Sequence, residues 1–231
     1  PIYNELLDMK ALLFLQENQM EAAYETYKRI PRTQWDDFKK YDPFRPTVND
    51  CLSCPQSKDT SDLFNRGGII EELIDLDYKT KADQENKAFH FFRIGVGLYN
   101  MSYFGHSWKA MDYYRDPLTW KRLRLGEVQP KQGSPFGNKE NLNVDRARYY
   151  FDKARLSATN DNLAAMASFM AAKCEQIQYY LSEDYVKPPC CNNIPFPPPE
   201  YLTNFQRLVE NYRETPFFED IIEECLYFRL Y

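Results

Sequence analysis

Two apolar, helix-periodic stretches separated by only three polar residues open this chain, and that spacing leaves few folds available. Residues 2–17 carry Leu6, Leu7, Ala11, Leu12, Leu13, Phe14 and Leu15, a wide apolar face at helical spacing. Glu17-Asn18-Gln19 breaks the pattern, which resumes from Met20 through Ala22, Ala23, Tyr24, Tyr27 and Ile30 until Pro31 stops it. So short a link folds the second helix back antiparallel on the first. The spacing therefore predicts a helical hairpin over residues 2–30.

The rest of the chain reads as further helices set apart by proline-bearing connectors. Pro43, Pro46 and Pro55 forbid a long helix over residues 32–60. Helical spacing returns over 62–79, after an interruption at Gly67-Gly68, and over 82–103, where Gly95 and Gly97 suit the close approach of a neighbour. Residues 105–143 read as a loop excursion, with room for a short helix at 106–114. Helices follow at 145–156 and 163–181, with Asp161 as a start signal for the second. Six prolines between Pro188 and Pro199 mark an extended connector within 186–199. Two last helices span 201–212 and 217–227, and apolar residues continue to Tyr231. No segment alternates in the manner of a strand, so the expected fold is all-α, one domain over residues 1–231.

Composition removes several function classes. A net charge of −5 argues against a broad nucleic-acid footprint. Two histidines leave little for a multi-histidine metal site. With eight glycines and no G-x-G-x-x-G or G-K-[ST], a phosphate-cradling loop is not expected. Apolar runs such as Ala164–Ala172 are too short to span a bilayer. Neither a metal nor a cofactor is expected. The opening at Pro1 suits a processed product or the C-terminal part of a longer chain, with any export signal upstream.

One tract carries a family resemblance. Ala147-Arg-Tyr-Tyr-Phe151-Asp-Lys-Ala154 resembles the second helix of a tetratricopeptide repeat. Small residues three and four positions from an aromatic let a partner helix come close while the ring fills the space beyond. The first hairpin repeats the theme with Ala11, Phe14, Ala23 and Tyr27, and Leu163–Tyr179 with Tyr201–Tyr212 would form another pair. Insertions between the pairs leave no strict period. Gly97–Gly105 and Ala147–Gln176 are also similar to poorly characterised, exported helical-repeat proteins of Bacteroidota. That resemblance implies stacked antiparallel helix pairs, a place in the periplasm or at the outer-membrane surface, and no established enzymatic activity.

Candidate chemistry is sparse. Cys51, Cys54, Cys190 and Cys191 lie in two proline-bearing segments, where disulfides, zinc, redox exchange and plain structural thiols all stay open, with disulfides favoured for an exported protein. Cys174 and Cys225 sit in helical patterns as small buried side chains. His106 and Ser107 tempt a hydrolase reading with Asp112 as orienter, but no nucleophile elbow accompanies them, and a structural polar contact is the expectation. His90, among Phe89, Phe91 and Phe92, reads as a packing residue. Carboxylates such as Glu71, Glu72, Asp75 and Asp77 describe solvated faces. Lys121, Arg122, Arg124 and Lys131 suit a solvated loop or an anionic partner.

Aromatic residues outside the helices remain. Trp35, Tyr41, Phe44, Trp108, Tyr113, Tyr114 and Trp120 either pack the insertions onto the helical body or anchor a partner. The leading expectation is a non-enzymatic scaffold or protein-interaction module of the bacterial envelope. The alternative is a glycan-binding module that uses these aromatics as a platform.

Overall fold

The computed structural model of the chain describes residues 2–48, 63–113, 115, 141–185 and 197–224. Cys51, Cys54, Cys190, Cys191, Cys225, Tyr114, Trp120 and the basic residues 121–131 lie outside the described residues, as does most of the 105–143 excursion. Eight α-helices occupy the described residues: α1 (Ile2–Gln16), α2 (Met20–Tyr27), α3 (Arg66–Ala82), α4 (Lys87–Asn100), α5 (Asp145–Ser157), α6 (Asp161–Leu181), α7 (Thr203–Asn211) and α8 (Pro216–Glu224). Among these residues the only β-type pairing is one isolated bridge between Tyr41 and Phe64. The fold is all-α.

Each helix packs chiefly against its neighbours in chain order from α1 to α7, and α8 returns to α6. The α1–α2 hairpin turns where the sequence indicates. Asn18 takes φ 64°, a left-handed conformation that asparagine tolerates. Gln19 N–H then donates to Phe14 O at 2.8 Å and Asn18 N–H to Leu15 O at 3.2 Å, the paired bonds that close a helix C-terminus.

Several boundaries differ from the sequence reading. Gly67-Gly68 opens α3 rather than interrupting it, because the Asn65 side chain caps the helix from Gly68 N–H at 2.8 Å. A Cβ on Gly67 would stand 2.4 Å from the Trp35 ring, so glycine lets that indole lie against the helix start. The helix expected from residue 82 begins instead at Lys87, after a turn tied by Asp83. That carboxylate accepts from Asn86 N–H at 3.1 Å and meets His90 Nε2 at 2.9 Å. The His90 bond, then those from Asn86, pull the Asp83 carboxyl down to about 2. The α6 cap is Asn160, one residue earlier than expected, accepting from Asn162 and Leu163 N–H.

The centre of the stack is the α4–α5–α6 trio. Ala147, Phe151 and Ala154 are buried on α5, and a Cβ on Gly95 would meet the Phe151 ring at 2.7 Å. The small–aromatic–small spacing thus does what its geometry suggests: α4 and α5 approach at a glycine and the ring fills the space beside it. Ala11, Ala23 and Tyr27 are buried in the first hairpin, with Phe14 half-buried against the same core. Gly97 faces a loop aromatic instead of a helix, its virtual Cβ lying 2.6 Å from Phe44. Glu175 on α6, fully buried, accepts from Arg148 at 2.8 Å and from both Asn204 N–H and Asn204 Nδ2 at 2.9 Å, joining α5, α6 and α7. Burial raises its carboxyl against those three donors, so this junction is built around a costly group that each neighbour helps to satisfy.

Candidate functional site

The loop aromatics fall into two groups. Trp35, Tyr41 and Phe44, candidates either for packing the insertions or for anchoring a partner, are buried. Trp35 donates its indole N–H to Ile30 O at 2.9 Å and meets Tyr27 edge-on at 5.2 Å, pinning the 3-10 segment Arg32–Phe38 between α2 and α3. Phe44 packs edge-on to Phe64 at 5.1 Å and lies under the Arg93 guanidinium. These residues hold the insertions to the helical body because burying a ring on a nearby apolar face outweighs leaving it in water. Trp108 is half-buried and Tyr113 exposed, and both line one cleft of about 520 Å³.

This cleft lies between α1, the Arg32–Phe38 turn and the short 3-10 turn Trp108–Ala110. Its floor contains an ion pair that the sequence reading did not single out. Asp8, 1% exposed on the buried side of α1, accepts from Arg66 Nη1 at 2.5 Å and from the Tyr113 hydroxyl at 2.5 Å, both at Oδ2. Arg66, at the start of α3, also donates to Ala110 O at 3.2 Å and Lys109 O at 2.9 Å. Its guanidinium lies 4.9 Å from the Tyr113 ring centre. Asp8 Oδ1 is buried and accepts no hydrogen bond. Burial raises the Asp8 carboxyl, outweighing the opposing pull of Arg66 and Tyr113. The Tyr113 hydroxyl is raised too, by burial and by Asp8, although its ring is half open to solvent.

A signal for this pair exists in the sequence. Asp8 shares a helix face with Leu7, Ala11, Leu12 and Leu15, and a carboxylate in such a row needs a buried cation. The stack has to be assembled before that cation can be identified as Arg66, 58 residues away.

Trp108 does not offer a free ring. Lys109 Nζ lies 5.7 Å and the Arg115 guanidinium 5.5 Å from its centre. The shared aromatic platform required for glycan stacking is therefore not assembled from Trp35, Tyr41, Phe44 and Trp108.

His106 finds a different acid from the one expected. Its Nδ1 lies 3.2 Å from Asp42 Oδ1 and 3.1 Å from Ser107 Oγ, while Nε2 faces Arg45 O at 3.2 Å. Asp112 is buried elsewhere, bonding Asn141 N–H at 3.2 Å and Gln16 Nε2 at 3.4 Å. A serine nucleophile and its orienting acid must engage opposite imidazole nitrogens. Here both engage Nδ1, so the arrangement ties the 41–45 loop to the turn after α4. Burial raises the Asp42 carboxyl, but the bond and charge of His106, with Arg45, overcome this and hold it below the usual range. A carboxyl lowered on folding stabilises above its ordinary value and loses that contribution as pH falls through its folded value. Thermal melts of wild type should therefore drop more steeply than those of Asp42→Asn below about pH 4. Parallel curves for the two proteins would refute this linkage.

A second groove of about 840 Å³ runs past Asn141, Asn143, Gln178 and Tyr201 near the ends of α1 and α6. Among the described residues no group of three or more His, Cys, Asp or Glu side chains could hold a metal ion. No described helix is long and apolar enough to cross a membrane. No family model matches the chain, and no curated protein or solved structure matches it.

Proposed function

We propose that this chain is a helical-repeat protein-interaction module that receives an α-helix on the outer face of α1. The observation that carries this reading is a stripe of exposed apolar residues: Ile2 (72% exposed), Leu6 (57%), Met9 (47%) and Leu13 (60%). Their spacing of four, three and four places them in one row along the helix. The opposite row, Leu7, Ala11 and Leu15, is buried in the core, so α1 is apolar on both sides while only one side is covered.

In a stack of sequential helices each unit covers its neighbour. An uncovered apolar row on α1 supports a further helix as its cover, packed as α2 packs on the inner side. The wide apolar face already visible in residues 2–17 has this meaning: it is more than one neighbour can bury. The tetratricopeptide-like tract 147–154 supports repeat ancestry, and the similarity to exported helical-repeat proteins supports a place in the bacterial envelope. No catalytic step is part of this reading.

The test is binding of synthetic amphipathic helical peptides, with leucines spaced like the α1 stripe, to wild type and to Leu6→Asp. Binding by wild type that falls about tenfold or more in Leu6→Asp, a loss of at least about 1.4 kcal/mol, is the expected result. Equal affinity in both proteins, or no binding by any peptide of the series, would overturn it. Because Leu6 is exposed, the substitution leaves the fold intact, which a thermal melt checks.

A further inference from the structure

The charges beside the exposed row on α1 say which helix covers it. Ile2, Leu6, Met9 and Leu13 follow one another at intervals of four, three and four residues, the alternation of a coiled-coil seam. Leu6 and Leu13 take its a positions, and Ile2 and Met9 its d positions. At 1.5 Å of rise per residue the row is about 17 Å long. The inner side of α1, with Leu7, Ala11, Leu12 and Leu15, is buried in the body of the protein. The outer row is therefore a narrow seam with room for one further helix.

Three charged residues lie between Ile2 and Leu13, namely Glu5, Asp8 and Lys10. Asp8 is buried on the inner side, whereas Glu5 and Lys10 are exposed. With about 100° of turn per residue, Glu5 stands about 70° to one side of the row and Lys10 about 70° to the other. They are the g and e positions that edge a coiled-coil seam. Neither enters an ion pair among the described residues, and Lys10 Nζ rests 5.6 Å from the Phe14 ring centre.

In a parallel pair of helices a g residue lies beside the e residue five positions further along the partner. Glu5 and Lys10 are five positions apart. A second α1 laid in parallel on the first thus brings Glu5 of each copy to Lys10 of the other, twice about a single two-fold axis. In an antiparallel pair each edge would instead meet its own copy, Glu5 edge against Glu5 edge and Lys10 edge against Lys10 edge. The α1 surface is complementary to itself in one orientation. A membrane surface would draw on flanking cations, and here the one lysine is offset by the one glutamate.

We infer that α1 is the seam of a symmetric homodimer, its row Ile2, Leu6, Met9 and Leu13 packed in parallel register on the same row of a second copy. The inference rests on the proposed docking of a helix to α1 and names that helix as α1 of another copy. Glu5 and Lys10 select the orientation, and the apolar row supplies the attraction.

The test is sedimentation equilibrium of the whole chain from about 5 µM to about 500 µM. A seam this short should give a weak dimer, with a dissociation constant of roughly 10–100 µM. Leu6→Asp should remain monomeric throughout. Glu5→Lys places two lysine pairs across the seam and Lys10→Glu two glutamate pairs, so each variant alone should dimerise about tenfold more weakly or worse. An equimolar mixture of these two variants restores both attractive pairs and should associate within about threefold of wild type. Raising the salt should narrow the gap between the single variants and wild type. Glu5 and Lys10 are exposed, so circular dichroism should show the same helix content in every variant.

A wild type that stays monomeric while still binding the synthetic helical peptides overturns the homodimer and leaves the docking row standing. A dimer that persists in Leu6→Asp places the contact elsewhere and overturns the inference. A mixture no stronger than its components overturns the parallel register. Loss of both self-association and peptide binding removes the docking reading together with the homodimer.

Discussion

Gly105→Ala is expected to destabilise the protein by about 4 kcal/mol or more, among the largest effects of any single methyl added to this chain. A Cβ at that position would lie 2.2 Å from Asn100 Cα and 2.2 Å from its carbonyl oxygen. Both are backbone atoms, and neither can rotate away. The turn holding Gly105 wraps over the end of α4, with Ser107 N–H donating to Asn100 O at 3.0 Å. Asn100, buried, donates through Nδ2 to Pro43 O and Arg45 O at 2.8 Å each. Pushing the turn off Asn100 therefore loosens the 43–45 loop and the His106–Asp42 contact together.

Gly97→Ala is the natural control. Its new Cβ would meet a side chain, the Phe44 ring at 2.6 Å, which can shift, so the overpacking cost should be about 1–3 kcal/mol. Denaturant unfolding of both variants reads the order directly. If Gly105→Ala proves no worse than Gly97→Ala, the claim that the turn is locked against the α4 backbone is wrong.

Asp8→Ala should cost about 3–5 kcal/mol, because it leaves Arg66 buried without its carboxylate. The Ala110 and Lys109 carbonyls still satisfy part of the guanidinium, but neither carries a charge to offset it. The companion result is more telling. Burial raises the Asp8 carboxyl despite Arg66 beside it, so in the folded chain the desolvation of this ion exceeds the attraction it gains. A carboxyl raised on folding contributes stability below its ordinary range and loses it as pH rises through its folded value. Ionising Asp8 is therefore less favourable in the folded chain than in water, and removing both charges should be far milder than removing one. The double variant Asp8→Leu/Arg66→Met is expected to recover most of the loss, ending within about 1 kcal/mol of wild type. A double variant as unstable as Asp8→Ala would show that the pair holds the fold through its charges. A retained pair that adds little stability fits a role in shaping the cleft floor.

The all-α class, the first hairpin and the α5–α6 region were legible in the residues themselves. Helical spacing, proline stops and a three-residue link act over short distances, and a helix satisfies its own backbone hydrogen bonds. The Ala147–Phe151–Ala154 spacing even announced a close neighbour, though not that Gly95 of α4 would be the residue meeting it. Boundaries set by side-chain caps were less legible, as at Asn65 and Asn160, because several polar residues at a helix start compete for the same N–H groups. The distinction among the aromatics was not legible at all. Trp35 and Trp108 both sit in loop segments with polar neighbours, yet one is sealed against Gly67 and the other lines a cleft.

The sequence by itself determined where helices form and that α1 is apolar on more than one side. Only the tertiary structure decided which of those sides is covered, and that Asp8, Arg66 and Tyr113 meet at one point. The physical reason is the range of the interactions. Backbone hydrogen bonding and helical periodicity depend on residues within a turn or two. Burial and charge pairing depend on which distant segments the packed helices bring together.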